Sequence, residues 1–293
     1  MIKLCMLALA GLALSFAAAA TQSTTDGSPE NVIVQNSSVR LHALFWRPQG
    51  RGPFPAILFI HGSGRTPQDL KRLGPYEQQA YVLGPVFARH GYAFLYLFRR
   101  GVGLSTDQGT NAVDLMNSEM AARGQAARDA LQLRLLQTRE MIDVLAGLAL
   151  LRARPGVDGH DVAAIGHSFG GSLTLLMAER QPDLRAVIVF STAGYSWDRS
   201  PELRARLFVA ETNIKSPVFF IHAANDYSIA SGKALDARMR EIGKPSHLKI
   251  YPPIGHTPEE GHEIPYLGVK IWEPDVFAFL DKYMRRHVGP ASR

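Results

Sequence analysis

Four short apolar runs constrain this chain more than anything else in it: AILFIH at 56–61, DVAAIG at 161–166, RAVIVF at 185–190 and PVFFIH at 217–222. None alternates polar with apolar residues as a half-exposed strand does, so each reads as a strand buried on both faces. Stretches with helical character follow them, at 79–89, 170–180, 201–211 and 232–242. Strands alternating with helices build a mostly parallel sheet flanked by helices. YAFLYLF at 92–98 and HLKIY at 247–251 add two strands, and 32–35 with 40–46 reads as an opening hairpin, which brings the sheet to about eight. A last helix is expected at 274–286.

The segment 106–154 breaks this rhythm. It is long for a single crossover, and Leu131, Leu135, Leu136, Ile142, Leu145, Leu148 and Leu151 recur at near-helical spacing. Its second half, 138–154, is expected to be the crossover helix before the central strand. Its first half, 106–137, is expected to be a helical insertion, either a cap over the active site or an excursion packed on the flank.

The first twenty residues stand apart. Lys3 supplies a positive charge, an apolar run covers 4–16, and Ala17 to Ala20 suit a signal peptidase. The run is short for a membrane span, which takes roughly 20 residues. A signal peptide over 1–20, cut before Thr21, and one domain over 21–293 are therefore expected, with the protein periplasmic or secreted. Cys5 is the only cysteine. The mature chain would have no disulfide, no thiolate nucleophile and no cysteine metal site. The net charge of +6 is scattered, with Arg99-Arg100 and Arg285-Arg286 as short pairs. That is no nucleic-acid footprint, and no later stretch is apolar enough to span a membrane. Oligomeric state is not readable.

The strongest local signal is Gly166-His167-Ser168-Phe169-Gly170, a G-x-S-x-G between the strand DVAAIG and the helix GSLTLLMAER. In that setting the turn is sharp, and the serine is lifted out of it with its hydroxyl exposed. Ser168 is expected to be the nucleophile. It needs a general base, and the base an orienting acid. With such an elbow the chain order is serine, acid, histidine. Asp226 lies just past the strand PVFFIH, at the carboxyl end where the acid belongs. Asp198, after RAVIVF, is the runner-up, and Asp183 falls on the wrong side of the sheet. Two histidines follow the last strand, His256 in PPIGHTPEE and His262 in EEGHEIPYL. Spacing does not separate them.

The oxyanion hole needs backbone N–H donors aimed at the developing charge. One is expected from Phe169, the other from Ser63 in the loop HGSGR, with Gly64 as its alternative. His61 precedes the serine and is expected to be a structural hydrogen-bonder. An arginine at 99–100 is expected to brace loops rather than hold a substrate carboxylate. A metal held by His256 and His262 with Glu259 or Glu263 is not expected: HEIPY is not H-E-x-x-H, and its prolines argue against a helix.

HGSG at 61–64, RRGVGLS at 99–105, GHSFGG at 166–171, AANDYS at 223–228 and PPIGHTPEEGHEI at 252–264 together resemble the dienelactone hydrolase-like branch of the α/β hydrolases, near acyl-peptidases and acetyl-esterases. The resemblance spans most of 21–293. It implies the α/β-hydrolase fold and a Ser–Asp–His triad without a cofactor or metal. It also implies that the base is the histidine of Gly261-His262 rather than His256. Dienelactone hydrolases proper use a cysteine where this chain has Ser168, which argues for ordinary esters or related acyl compounds as substrates. Cleavage of a small-molecule ester through Ser168, Asp226 and His262 is the expectation. An amidase or peptidase of the same fold, or a ligand-binding protein without turnover, are its alternatives.

Overall fold

The interior strands alternate between two cores. In β3 (Phe54–Ile60) Ala56, Leu58 and Ile60 face one core, while Ile57 and Phe59 face the other. Val187 and Val189 divide from Ile188 and Phe190 in the same way farther along. A run apolar at every position is thus what a strand between two helical layers requires. The structure, a computed structural model, describes residues 27–37 and 39–284. The expected signal peptide, 1–20, lies outside the described residues, as do residues 285 and 286 of the expected last helix.

The strands are β1 (Glu30–Asn36), β2 (Val39–Trp46), β3, β4 (Ala93–Leu97), β5 (Val157–His167), β6 (Val187–Phe190), β7 (Val218–Ala223) and β8 (Ser246–Tyr251). They form one eight-stranded sheet in the order β1-β2-β4-β3-β5-β6-β7-β8. β1 and β2 are the hairpin, and β2 meets β4 antiparallel. Every other pairing is parallel. This is the α/β-hydrolase fold.

The helices are α1 (Pro67–Leu73), α2 (Tyr76–Arg89), α3 (Ala112–Gln137), α4 (Arg139–Ala153), α5 (Phe169–Arg180), α6 (Pro201–Asn213), α7 (Ala230–Glu241), α8 (Pro258–His262), α9 (Ile264–Leu267) and α10 (Val269–Tyr283). A 3-10 turn, Gly103–Gln108, precedes α3. The insertion and the crossover helix part at Thr138, whose φ/ψ of −122/−97 ends α3. α3 itself bends at Gly124, where φ is 83.

Two expectations need correction. The last helix starts at Val269 rather than at 274, and Pro274 lies inside it. Proline removes one intrahelical hydrogen bond there, but Trp272 is fully buried and its indole N–H reaches the Ile264 and Pro265 carbonyls, each at 3.2 Å. Burial of that ring outweighs the local penalty. The prolines also do not keep 258–267 out of helix. Pro258 and Pro265 each occupy a first-turn position of a short helix, where a missing N–H costs nothing.

Candidate active site

β5 ends in a turn that its residues cannot relax. Ser168 has φ 55 and ψ −118, a strained conformation for a non-glycine residue. A Cβ on Gly166 would stand 2.4 Å from the Gly170 carbonyl oxygen, and one on Gly170 2.2 Å from that of His61. Both glycines are therefore required for β5, α5 and the loop after β3 to approach so closely. The Ser168 N–H is tied to the Phe190 carbonyl at 2.9 Å. Its hydroxyl faces a cavity of about 600 Å³.

Ser168 Oγ lies 2.8 Å from His262 Nε2, and His262 Nδ1 lies 2.6 Å from Asp226 Oδ1. The structure thus brings Ser168, His262 and Asp226 together. Asp226 follows β7, as its position after PVFFIH predicts, and also accepts the Tyr227 N–H at 2.8 Å. Burial alone would raise its carboxyl. Hydrogen bonds from His222 and His262 more than offset that and hold it far below the usual carboxylate range.

His256 is not brought to the serine. It is exposed, does not line the cavity, and binds Glu260 through its backbone N–H at 2.7 Å. The reason is local. Thr257 caps α8 in a capping box with Glu260, which turns the chain so that His262, at the far end of that helix, meets Ser168. Asn225 pins the same loop. Its side chain donates to the Ile254 and Thr257 carbonyls and accepts the Ile254 N–H, at 2.8–2.9 Å.

On the other side of Ser168, Phe169 opens α5, so its N–H has no intrahelical carbonyl to bind. The loop after β3 is held by Arg99, buried on the strand-end loop beside it. Arg99 Nε donates to Glu140 at 2.7 Å, Nη1 to the His61 carbonyl at 2.6 Å and Nη2 to the Gly62 carbonyl at 2.5 Å. His61 Nδ1 donates to the same Gly62 carbonyl at 2.8 Å, while its Nε2 accepts the Arg99 N–H at 3.1 Å. Burial, then the Arg99 charge, push the His61 imidazole well below its ordinary value, so it stays neutral and structural. The Ser63 N–H belongs to the same planar peptide as the Gly62 carbonyl and points the opposite way, away from Arg99. Arg100 is likewise a brace, its Nε donating to Asp143 at 2.8 Å.

The cavity walls include α3 and the loops after β3, β6 and β7. Met116 and Met120 precede the bend at Gly124 and Arg128 and Gln132 follow it; all four line the cavity with Tyr195, Ser196 and Tyr227. The other side of α3 packs on α4, α5 and α6. The insertion is therefore both a wall of the cavity and a flank of the domain. Asp198, the runner-up acid, lies outside this lining.

Sequence reasoning missed two histidines. His167, inside the pentapeptide, donates Nε2–H to the His262 carbonyl at 2.9 Å and so ties the elbow to the loop it faces. Burial, then the neighbouring His262, hold its imidazole well below the ordinary value. His222, four residues before Asp226, is the other; the spacing to the acid was its only signal. Among the described residues no group of three or more His, Cys, Asp or Glu side chains is placed to hold a metal ion, and no helix is long and apolar enough to cross a membrane.

Comparison with known proteins bears on the family and the fold. A profile of the dienelactone hydrolase family matches residues 83–266. No curated protein matches the sequence. Among solved structures, an acylaminoacyl peptidase of Pyrococcus horikoshii superposes with a TM-score of 0.61 at 17% identity, over 90% of this chain and 43% of its own. This chain thus spans less than half of that peptidase. An esterase of Pyrococcus furiosus, Pf2001, gives 0.61 at 15% identity over 91% of this chain and 98% of its own. Est1E from Butyrivibrio proteoclasticus gives 0.58 at 16% identity over 86% and 98%.

Proposed function

The chain belongs to the dienelactone hydrolase family, and from that premise we propose that this hydrolase cleaves carboxylic esters through an acyl-enzyme on Ser168. The observation that carries the reading is the unbroken hydrogen-bond chain Ser168–His262–Asp226 opening on the cavity. Ser168 Oγ attacks the ester carbonyl as His262 Nε2 takes its proton. The tetrahedral oxyanion is held by the N–H groups of Phe169 and Ser63. Asp226 keeps the imidazole in the tautomer that presents a lone pair to the serine, and stabilises its positive form. On collapse His262 gives the proton to the departing alcohol. A water then attacks the acyl group with His262 again as base, and releases the acid.

Ester substrates are favoured because the esterase Pf2001 is matched over 98% of its own length, whereas the acylaminoacyl peptidase is matched over 43% of its own. No metal or cofactor enters these steps. Export through residues 1–20 is part of the proposal and rests on their charge and hydropathy alone; the N-terminal residue of the exported protein tests it, Thr21 being expected. The chemistry is tested by a fluorophosphonate probe, which should label Ser168 and nothing else. Ser168→Ala should abolish labelling and lower turnover of a graded panel of aryl and alkyl esters by several orders of magnitude. Full activity in Ser168→Ala would sink the proposal. Faster cleavage of matched amides than of esters would move it to an amidase.

A further inference from the structure

Asp226 has two carboxylate oxygens, and His262 occupies only one. The other, Oδ2, lies 2.8 Å from Nδ1 of His222, a fully buried residue in β7. Nε2 of the same ring is buried and has no hydrogen-bond partner among the described residues. Gly232 in α7 makes room for the ring: a Cβ there would stand 2.6 Å from His222 Cδ2 and 2.7 Å from Nε2.

These contacts assign the tautomer. A proton on Nε2 would be a buried donor with nothing to bind, and would turn an Nδ1 lone pair toward a carboxylate. With the proton on Nδ1, the donor is satisfied and only a weak acceptor is left bare. We propose that His222 is a positioning residue for the reaction: by donating Nδ1–H to Asp226 Oδ2 it fixes the plane of the carboxylate, and through it the ring of His262. The inference rests on the roles proposed above for Ser168 and His262.

Two effects follow from losing that donor. The carboxylate becomes free to turn about its Cβ–Cγ bond, which misaligns His262. Its charge is also less satisfied, so it stabilises the imidazolium of His262 more strongly and raises the basicity of that ring. The other ionisable groups near the pair are the His167 and Tyr227 rings, each 5.0 Å from that of His262, and the Arg65–Glu263 ion pair. From α7 and β8 this corner receives Gly232 and Leu248, neither of which titrates.

The test is the rate of Ser168 modification by a fluorophosphonate, measured as a function of pH in the full chain. Four proteins are compared: wild type, His222→Leu, His222→Asn and Gly232→Ala. Asparagine carries its amide nitrogen on Cγ, where histidine carries Nδ1, and so restores the donor; leucine does not. His222→Leu should slow labelling by about 10- to 100-fold and move the acid limb of the profile to higher pH, whereas His222→Asn should stay within about threefold of wild type and keep its profile. Gly232→Ala presses on the ring from outside the machinery and should shift rate and profile in the same direction as leucine. It decides the matter if the leucine protein does not fold. Wild-type rate and profile in the leucine variant, or in Gly232→Ala where that variant replaces it, overturns the inference. So does an asparagine variant as impaired as leucine. A wild-type protein that does not label at Ser168 overturns the hydrolase reading itself, so the two failures are distinguishable.

Discussion

Ser63 is the residue where side chain and backbone part company. Its amide shares a peptide with a carbonyl that Arg99 and His61 both grip, so the direction of the N–H is set from behind. Ser63→Ala should leave turnover near wild type, while Ser63→Pro, which removes the N–H, should lower kcat by about 10²- to 10³-fold, read in steady-state kinetics. Arg99 and Glu140 are both about 1% exposed. Arg99→Leu leaves Glu140 buried with Arg139 as its remaining ion-pair partner among the described residues. It should cost about 3–5 kcal/mol in denaturant unfolding. Ser168 and Asp226 were legible from local pattern alone, because an elbow and a strand end are short-range features. The choice between His256 and His262 was not, since spacing from β8 serves both and the turn of α8 decides. His222 and His167 went unread because a buried histidine in an apolar run looks like core until its partner is seen.

Among the elements, α6 holds an unusual acid. Glu211 is fully buried and neither carboxylate oxygen has a hydrogen-bond partner among the described residues. Burial, the largest cause, raises its carboxyl from 4.5 to about 8. The folded value lies above the unfolded one, so the stability tied to the protonated acid is complete below about 4.5 and disappears as pH climbs through about 8. Glu211→Gln should melt several degrees above wild type at about pH 9 and lose that advantage at about pH 4 in thermal scans. Strands and the central helices were readable from apolar runs and spacing. The short α1 and the early start of α10 were not. In α10 the packing of Trp272 against Phe87 and Phe190 overrides what Pro274 would otherwise signal, and no window of sequence contains those contacts.

At the scale of the whole molecule, the site is gathered from the carboxyl ends of β3, β5 and β7 and from the helix that follows β8. Parallel strands deliver those ends to one edge of the sheet, where ligands bind in such folds. Asn225 joins two of the contributors, fastening the loop of Asp226 to that of His262. Asn225→Ala should therefore lower kcat by about tenfold or more with KM little changed, because it disturbs alignment rather than contact with the substrate. The order of elements was written in the sequence, whereas whether the insertion before α4 capped the site or packed on a flank was not, since that depends on the bend at Gly124.

That bend has a further meaning. Met116 and Met120 on one arm and Arg128 and Gln132 on the other are all borne by one helix, which supplies none of the reacting groups. Exchanging the four side chains would change the size and polarity of the chamber while leaving the bond-breaking apparatus as it is. Descendants of this scaffold, natural or made in the laboratory, have a route to new diets that leaves the hydrolytic engine untouched.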